Sequence, residues 1–311
     1  MSAAARARRG GPRRRWRVAA LAVLGLLAAG VALVALRPGL VLDAGRALAT
    51  WRAGARSGSV VAGGTRLAYL ELGSGRPLVL QHGLRAEAVT MLPLARELAP
   101  AGYRVLMIEL PGHGHSAPPA APLSIDTAGE LVLEAAQRLG AGPRPVLVGH
   151  SMGGWILGWQ ALERPGSCGP LVLVSSAGVV FEPPPEEVLL PTTLADSRRS
   201  LEVLFADTPR VPSFLLWLTA QRPTGTSRDL LRSGWTGQFL LEGRLARLEV
   251  PALVVFGAAD RLIPPAAGRR LAAELPGDPY VEIPGAGHMI IWEKPRELAR
   301  VIDRFARQAP R

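Results

Sequence analysis

A serine lies between two glycines in the middle of the chain, in the run Gly149-His150-Ser151-Met152-Gly153. Apolar β-formers precede this run and an apolar, helix-like stretch follows it, so Ser151 lies at a sharp turn from strand to helix. A chain with 35 glycines can contain this pattern by chance, so it is the strand before Ser151 and the helix after it that indicate a function. A hydroxyl exposed at such a turn is placed to attack an electrophile, and we predict that Ser151 is a nucleophile.

A serine hydroxyl needs a base to take its proton, and the base needs a partner that fixes its tautomer. Such groups gather at the carboxyl ends of parallel strands. Asp260 comes shortly after a predicted strand at 252–256, and His288 follows the next predicted strand at 280–283. We therefore predict that His288 deprotonates Ser151 and that Asp260 orients His288.

Other residues could fill these two roles. An aspartate between a strand and a helix is often only a helix N-cap, which is the alternative for Asp260. Asp278 and Glu282 are the other acids near the last strands, but Asp278 precedes a strand and Glu282 lies within one. The remaining histidines lie in glycine-rich turns: His82, His113, His115 and His150. We interpret His150, which precedes Ser151, as structural because neighbouring side chains diverge on a sharp turn.

An acyl-transfer site also needs donors for the oxyanion that forms in the transition state. The amide of Met152, at the turn that leads into the predicted helix, can face that position. We predict the amide of Leu84, in the loop after a strand at 78–81, as the second donor. The glycines around His113 match no nucleotide-binding motif, and no cluster has metal-ligand spacing, so we predict neither cofactor nor metal.

Strands and helices alternate over most of the chain, which predicts a mostly parallel sheet with helices on both faces. Gly63-Gly64 is expected to be the two-residue turn of an initial hairpin. The predicted strands are 59–62, 65–72, 78–81, 104–109, 146–148, 171–174, 252–256 and 280–283, and the predicted helices are 91–98, 126–139, 155–162, 266–275 and 295–307.

The alternation breaks over 177–249, which contains three consecutive prolines and helix-like pieces at 201–205 and 213–219. We predict that 177–249 is a helical lid inserted into a core formed by 57–176 and 250–311. Its aromatic residues either line an apolar substrate pocket or pack the lid onto the core. The pocket candidates are Phe205, Phe214, Trp217 and Trp235.

Positive charge is concentrated at the N-terminus. Eleven arginines against Asp43 give residues 1–56 a charge of +10, whereas the 25 basic and 24 acidic residues that follow nearly cancel. The basic character therefore does not indicate a nucleic-acid-binding face on the folded part. The single cysteine, Cys168, cannot form an internal disulfide and does not report the redox compartment.

An uncharged apolar run over 18–36 follows a basic tail over 1–17. As a helix this run measures about 30 Å, which matches the hydrocarbon thickness of a bilayer. We predict a retained transmembrane anchor, a juxtamembrane linker over 37–56, a cytoplasmic N-terminus and a catalytic domain on the periplasmic or extracellular side. The alternative is secretion after cleavage of a signal peptide, whose apolar stretch is usually shorter.

Taken together, these motifs resemble the α/β-hydrolase superfamily, whose members place serine, acid and histidine in this order along the chain. The resemblance covers 57–311 and implies an α/β-hydrolase fold with a lid. Glu109 departs from the family pattern, which normally has aspartate there. The matching pieces are His82-Gly83, Glu109-Leu110-Pro111-Gly112-His113-Gly114-His115-Ser116, Gly149-His150-Ser151-Met152-Gly153-Gly154, Gly257 to Asp260, and Gly287-His288.

Within this superfamily, the sequence most resembles membrane-anchored hydrolases similar to monoacylglycerol lipase and bacterial lipases. They share an N-terminal apolar span, a Ser-Met-Gly-Gly motif and a helical lid. This resemblance implies hydrolysis of a small-molecule carboxylic ester, of acyl or lipid origin, through an acyl-enzyme on Ser151. Ser151 occupies the turn between strand and helix, and a serine there, in place of an aspartate, argues against epoxide hydrolases and haloalkane dehalogenases. A carbon–carbon bond hydrolase or cofactor-free perhydrolase on the same residues, and a non-catalytic receptor on this fold, are the alternatives.

Overall fold

The computed structural model describes residues 12–37 and 39–309. The chain divides into two compact units between Leu48 and Ala49. Helix α1 covers Pro12–Leu36 and helix α2 covers Gly39–Ala53. Most of the predicted basic tail, residues 1–11, lies outside the described residues.

The predicted anchor over 18–36 falls within α1. The described part of the chain contains no helix with the length and apolar character needed to cross a membrane. The structure therefore does not support the transmembrane anchor, although a helix does form over these residues. The predicted side of the membrane is not tested and stays a prediction.

The described residues form one eight-stranded sheet with the order β1-β2-β4-β3-β5-β6-β7-β8. β2 pairs antiparallel with β1 and β4, and the remaining neighbours are parallel, which confirms the mostly parallel sheet. The strands are β1 Arg56–Ala62, β2 Thr65–Gly73, β3 Arg76–Gln81, β4 Tyr103–Ile108, β5 Val146–His150, β6 Leu171–Val174, β7 Ala252–Gly257 and β8 Tyr280–Ile283.

The predicted hairpin is confirmed. Ala62 pairs with Thr65 across a two-residue turn. Gly63 and Gly64 have φ angles of 51° and 75°, which is the left-handed backbone that a tight hairpin turn requires and that glycine adopts at low cost.

Helices cover both faces of the sheet, and strand residues alternate between two apolar clusters. The helices on the two faces are α3 Leu92–Leu98, α4 Ile125–Arg138, α5 Met152–Glu163, α10 Pro265–Ala273, α11 Ile290–Glu293 and α12 Pro295–Gln308, with short 3-10 turns at Ala88–Met91, Ala99–Ala101, Pro165–Ser167 and Leu245–Arg247. In β5, Leu147 belongs to the cluster under α4, α5 and α10, whereas Val146 and Val148 belong to the cluster under α3, α11 and α12.

The segment between β6 and β7 is helical, as expected for the lid. Leu230 and Leu241 are fully buried in the cluster under α4 and α5, so the lid packs on that face of the sheet. The lid helices are α6 Glu186–Leu189, α7 Leu194–Leu204, α8 Ser213–Ala220 and α9 Gly225–Trp235. The sequence pattern predicts parts of α7 and α8 and misses α6 and α9.

Candidate functional site

Ser151 lies between the end of β5 and the first residue of α5. Its backbone has φ 56° and ψ −124°, a conformation that costs a residue other than glycine about 1–3 kcal/mol. Two contacts fix this backbone: the Ser151 amide donates to the Val174 carbonyl at 2.9 Å, and the Ser151 carbonyl accepts from Gly154 at 3.0 Å. The chain therefore holds Ser151 in a strained turn at the carboxyl edge of the sheet.

The glycines on either side of Ser151 allow β5 and α5 to approach each other. A Cβ atom at Gly149 would lie 2.4 Å from the Gly153 carbonyl oxygen. One at Gly153 would lie 2.4 Å from the Gln81 carbonyl oxygen at the end of β3. Side chains cannot be placed at these distances, so the close approach explains the predicted spacing of glycine, serine and glycine.

Asp260 and His288 form a buried pair. His288 Nδ1 lies 2.9 Å from Asp260 Oδ2, and the two residues are only 1% and 5% exposed, respectively. The other carboxylate oxygen of Asp260 accepts the amides of Leu262 and Ile263 at 3.0 and 2.9 Å. Asp260 is thus held from its own loop while it contacts the imidazole.

The surroundings of Asp260 keep it ionised. Burial raises the pKa of this carboxyl, but the charge of His288, its hydrogen bond and the Ile263 amide together lower it more, so the pKa lies below its ordinary value. An ionised Asp260 can fix the His288 tautomer with the proton on Nδ1, which leaves Nε2 as the basic nitrogen.

His150 brings His288 close to the serine turn. His150 Nε2 donates to the His288 carbonyl at 2.8 Å, and the centroids of the two rings are 4.9 Å apart. Within the described residues no direct hydrogen bond joins Ser151 to His288. Such bonds are often long in enzymes without substrate and tighten in the substrate complex.

The alternative acids have other partners. Glu282 binds Arg269 and accepts from the Tyr280 hydroxyl at 2.9 Å. Asp278 has a φ angle of 47°, and its amide donates to the Leu275 carbonyl in the turn before β8. The acid whose carboxylate contacts His288 is therefore Asp260, as the chain order predicts.

Two further histidines stabilise loops at the same edge. His82 Nε2 accepts the Leu110 amide at 3.2 Å. His113 Nδ1 donates to the Pro111 carbonyl at 3.0 Å, and its Nε2 contacts the hydroxyl of Ser227 in α9 at 3.1 Å. His113 therefore links the loop after β4 to the lid.

Buried histidines should make the folded protein sensitive to mild acid. Burial is the main cause that lowers the pKa of His113 to about 4 and that of His150 to about 3. Below the ordinary histidine pKa of about 6.5, the unfolded chain therefore binds protons that the folded chain does not, and the free energy of unfolding falls as the pH falls. We expect each histidine to contribute a loss of about 2 kcal/mol between pH 7 and pH 5.

Urea denaturation at the two pH values measures this loss. The His113→Asn variant keeps a donor for the Pro111 carbonyl and no longer titrates, so it should lose roughly half of the pH dependence. An unchanged pH dependence of the free energy of unfolding in this variant would contradict the conclusion that burial lowers the pKa of His113.

The loop after β3 lies against the serine. A Cβ atom at Gly83 would lie 2.9 Å from Ser151 Cβ and 3.3 Å from Ser151 Oγ. Leu84 follows Gly83, and Met152 is the first residue of α5. Both predicted oxyanion donors thus belong to segments beside Ser151, and their role stays a prediction.

The predicted pocket residues lie in different places. Phe205 directly follows α7, and its carbonyl carbon would lie 2.8 Å from a Cβ atom at Gly287, next to His288. Phe214, Trp217 and Trp235 are 55%, 44% and 52% exposed. The backbone of Phe205 therefore lies beside the His288 loop, and the role of all four side chains in a pocket stays a prediction.

Sequence reasoning did not single out three charged residues that connect the site with the lid. Arg85 donates to lid carbonyls at Pro191 and Thr219, both at 2.8 Å. Arg261 and Glu293 also bind backbone atoms of the lid, both at Ala206. Their one sequence signal is a charge within five residues of Leu84, Asp260 or His288. In the described part of the chain, no group of His, Cys, Asp and Glu could hold a metal ion.

Comparisons with known proteins agree with this architecture. A family model described as "Alpha/beta hydrolase family" matches residues 78–301. The chain is 31% identical to a 2-hydroxy-6-oxononadienedioate/2-hydroxy-6-oxononatrienedioate hydrolase of Burkholderia vietnamiensis, over 80% of this chain and 94% of that protein.

Two further similarities concern esters. The chain is 28% identical to a pimeloyl-[acyl-carrier protein] methyl ester esterase of Xanthomonas oryzae, over 77% of this chain and 98% of that protein. It also superposes, with a TM-score of 0.79 and 27% identity, on a crystal structure of a membrane phospholipase A, over 94% of this chain and 100% of that one.

Proposed function

Because the chain belongs to the alpha/beta hydrolase family, we propose that it is a serine hydrolase that cleaves carboxylic esters of acyl or lipid origin. Ser151 is the nucleophile, His288 the general base and Asp260 its partner. The observation that carries this proposal is the strained backbone of Ser151, with φ 56°, next to a residue, His150, that binds the carbonyl of His288 in the buried Asp260–His288 pair. A protein keeps such strain where the surrounding structure enforces it, and such sites are commonly catalytic.

In the proposed reaction, Ser151 Oγ forms a bond to the ester carbonyl carbon while its proton moves to His288 Nε2. The carbonyl oxygen becomes an oxyanion, which the amides of Met152 and Leu84 stabilise. Collapse breaks the bond to the alcohol oxygen, which takes the proton from His288. A water molecule, deprotonated by His288, then hydrolyses the acyl-enzyme, and Ser151 regains its proton.

Two comparisons favour an acyl or lipid ester. The phospholipase structure and the methyl ester esterase match this chain over nearly their whole lengths.

The alternative is hydrolysis of a carbon–carbon bond next to a ketone. The similarity to the 2-hydroxy-6-oxononadienedioate hydrolase favours it, since this chain covers 94% of that protein. The same serine, histidine and aspartate would serve both reactions, so the residues of the site do not separate them.

Substrate profiling separates the two functions. The full-length protein is assayed with p-nitrophenyl esters of increasing acyl length and with a 2-hydroxy-6-oxo-dienedioate, with Ser151→Ala as the control. We expect ester hydrolysis that rises from short to medium chains and is absent in the control. Cleavage of the oxo-dienedioate by a folded protein that hydrolyses no ester would instead establish the alternative.

A further inference from the structure

Ala206, a residue of the lid, has both its backbone amide and its backbone carbonyl hydrogen-bonded to charged side chains. The Ala206 amide donates to Glu293 Oε1 at 2.9 Å, and the Ala206 carbonyl accepts from Arg261 Nη2 at 2.7 Å. Ala206 follows shortly after the end of α7. Two charged side chains from the core therefore fix this point of the lid.

Each of these side chains belongs to a loop that carries a site residue. Arg261 follows Asp260 directly, and its Nη1 also donates to the Glu202 carbonyl at 2.6 Å. Glu293 lies at the end of α11, and its Oε2 accepts the amide of Gly287, the residue before His288, at 2.8 Å.

The lid backbone also contacts the His288 loop directly. The Met289 amide donates to the Leu204 carbonyl at 2.9 Å. A Cβ atom at Gly287 would lie 2.5 Å from the Ala206 nitrogen. The segment 204–206 is thus packed against the residues on both sides of His288, with no space for a side chain between them.

We propose that Glu293 and Arg261 are positioning residues that use the lid segment 204–206 as a bracket between the Asp260 and His288 loops. This inference rests on the proposed function. Glu293 holds the His288 loop and the lid with one carboxylate, and Arg261 holds the same point of the lid from the Asp260 loop. The lid end is then part of the machinery that sets the proton-transfer geometry.

The chemistry of the carboxylate makes Glu293 the sensitive member. An ionised carboxylate accepts from two amides at once, and such charge-assisted bonds are stronger than neutral ones. A glutamine of the same size has one accepting oxygen and an amino group that cannot accept. In Glu293→Gln, either Gly287 or Ala206 therefore loses its partner.

The test measures ester turnover and the rate at which a fluorophosphonate probe labels Ser151. A misplacement of about 1 Å at reacting groups costs about 100-fold in rate. For Glu293→Gln we expect both rates to fall at least about 10-fold, with KM nearly unchanged and an unfolding temperature close to that of the unaltered protein. Equal rates, or a loss of rate that only follows a loss of folded protein, would overturn the proposal.

Glu274 provides a matched control, because it also holds two backbone amides. Its oxygens accept from Gly243 at 2.6 Å and from Leu245 at 3.0 Å, in a part of the chain that carries no site residue. We expect Glu274→Gln to keep both rates. If Glu274→Gln lowered both rates as much as Glu293→Gln does, the loss would follow from replacing any carboxylate that accepts two backbone amides. That result would overturn the proposal.

A double-mutant cycle then tests the shared bracket. Arg261→Lys and Glu293→Gln act on the same residue of the lid, so their combined loss of rate should be smaller than the product of the single losses. Losses that multiply would mean that the two residues act separately and would overturn the bracket.

Probe labelling keeps this test distinct from that of the proposed function. A protein that hydrolyses no ester but whose Ser151 is labelled would refute the ester proposal, and the labelling rates would still test the bracket. A Ser151 that is not labelled in the unaltered, folded protein would overturn both.

Discussion

Replacement of Ser151 by alanine is expected to lower kcat for ester hydrolysis by about 10⁶-fold, to a residual rate about 10³–10⁴-fold above that without enzyme. The proposed acyl-enzyme cannot form without the hydroxyl, and a strained backbone at this turn has no other evident use. Steady-state assays with a medium-chain p-nitrophenyl ester measure the loss. Residual turnover above about 1% of the original rate would contradict the assignment of the nucleophile.

A second substitution at this position separates catalysis from strain. Ser151→Gly also removes the hydroxyl, but glycine adopts φ 56° without a Cβ penalty. We expect both variants to be inactive and the glycine variant to be more stable than the alanine variant by about 1 kcal/mol. Equal free energies of unfolding would argue that the turn is not strained.

Replacement of His288 by alanine is expected to lower kcat by about 10⁶-fold as well, because the members of such a site act as a unit. His288 contacts Asp260 at 2.9 Å, and the variant would leave that carboxylate buried without its partner. Circular dichroism and unfolding measurements therefore accompany the assay, so that loss of the base is distinguished from loss of the fold.

The control for this prediction is His150, whose Nε2 donates to the His288 carbonyl. The pKa of His150 is lowered to about 3, chiefly by burial, so its ring is neutral at the pH of the assay. His150→Gln keeps a donor for that carbonyl and should keep most of the activity. A folded His150→Gln protein as inactive as His288→Ala would overturn our choice of base.

The features of the site that the structure places where the sequence leads us to expect them have local signatures. The glycines around Ser151 reflect a close approach between neighbouring elements, and the order of strands places Asp260 and His288 at one edge of the sheet. Asp260 and Asp278 could not be separated with certainty from sequence, because the choice depends on which carboxylate contacts the imidazole in three dimensions.

Other features have no local signature. Helix α9 contains poor helix formers such as Gly225 and Gly234, and the burial of Leu230 and Leu231 stabilises it through tertiary contacts. Glu293 and Arg261 bind backbone atoms of the lid, and backbone atoms leave no mark on the sequence. The anchor over 18–36 was inferred from apolar composition, and the described residues do not support it.

The central claim is that Ser151 forms an acyl-enzyme with a carboxylic ester. Rapid acid quench of the full-length protein during turnover of a medium-chain p-nitrophenyl ester, followed by peptide mass spectrometry, tests it most directly. We predict that the peptide containing Ser151 gains the mass of the acyl group within the first turnover and that Ser151→Ala gains none. Release of p-nitrophenol with the acyl group on another residue, or on none, would contradict the claim.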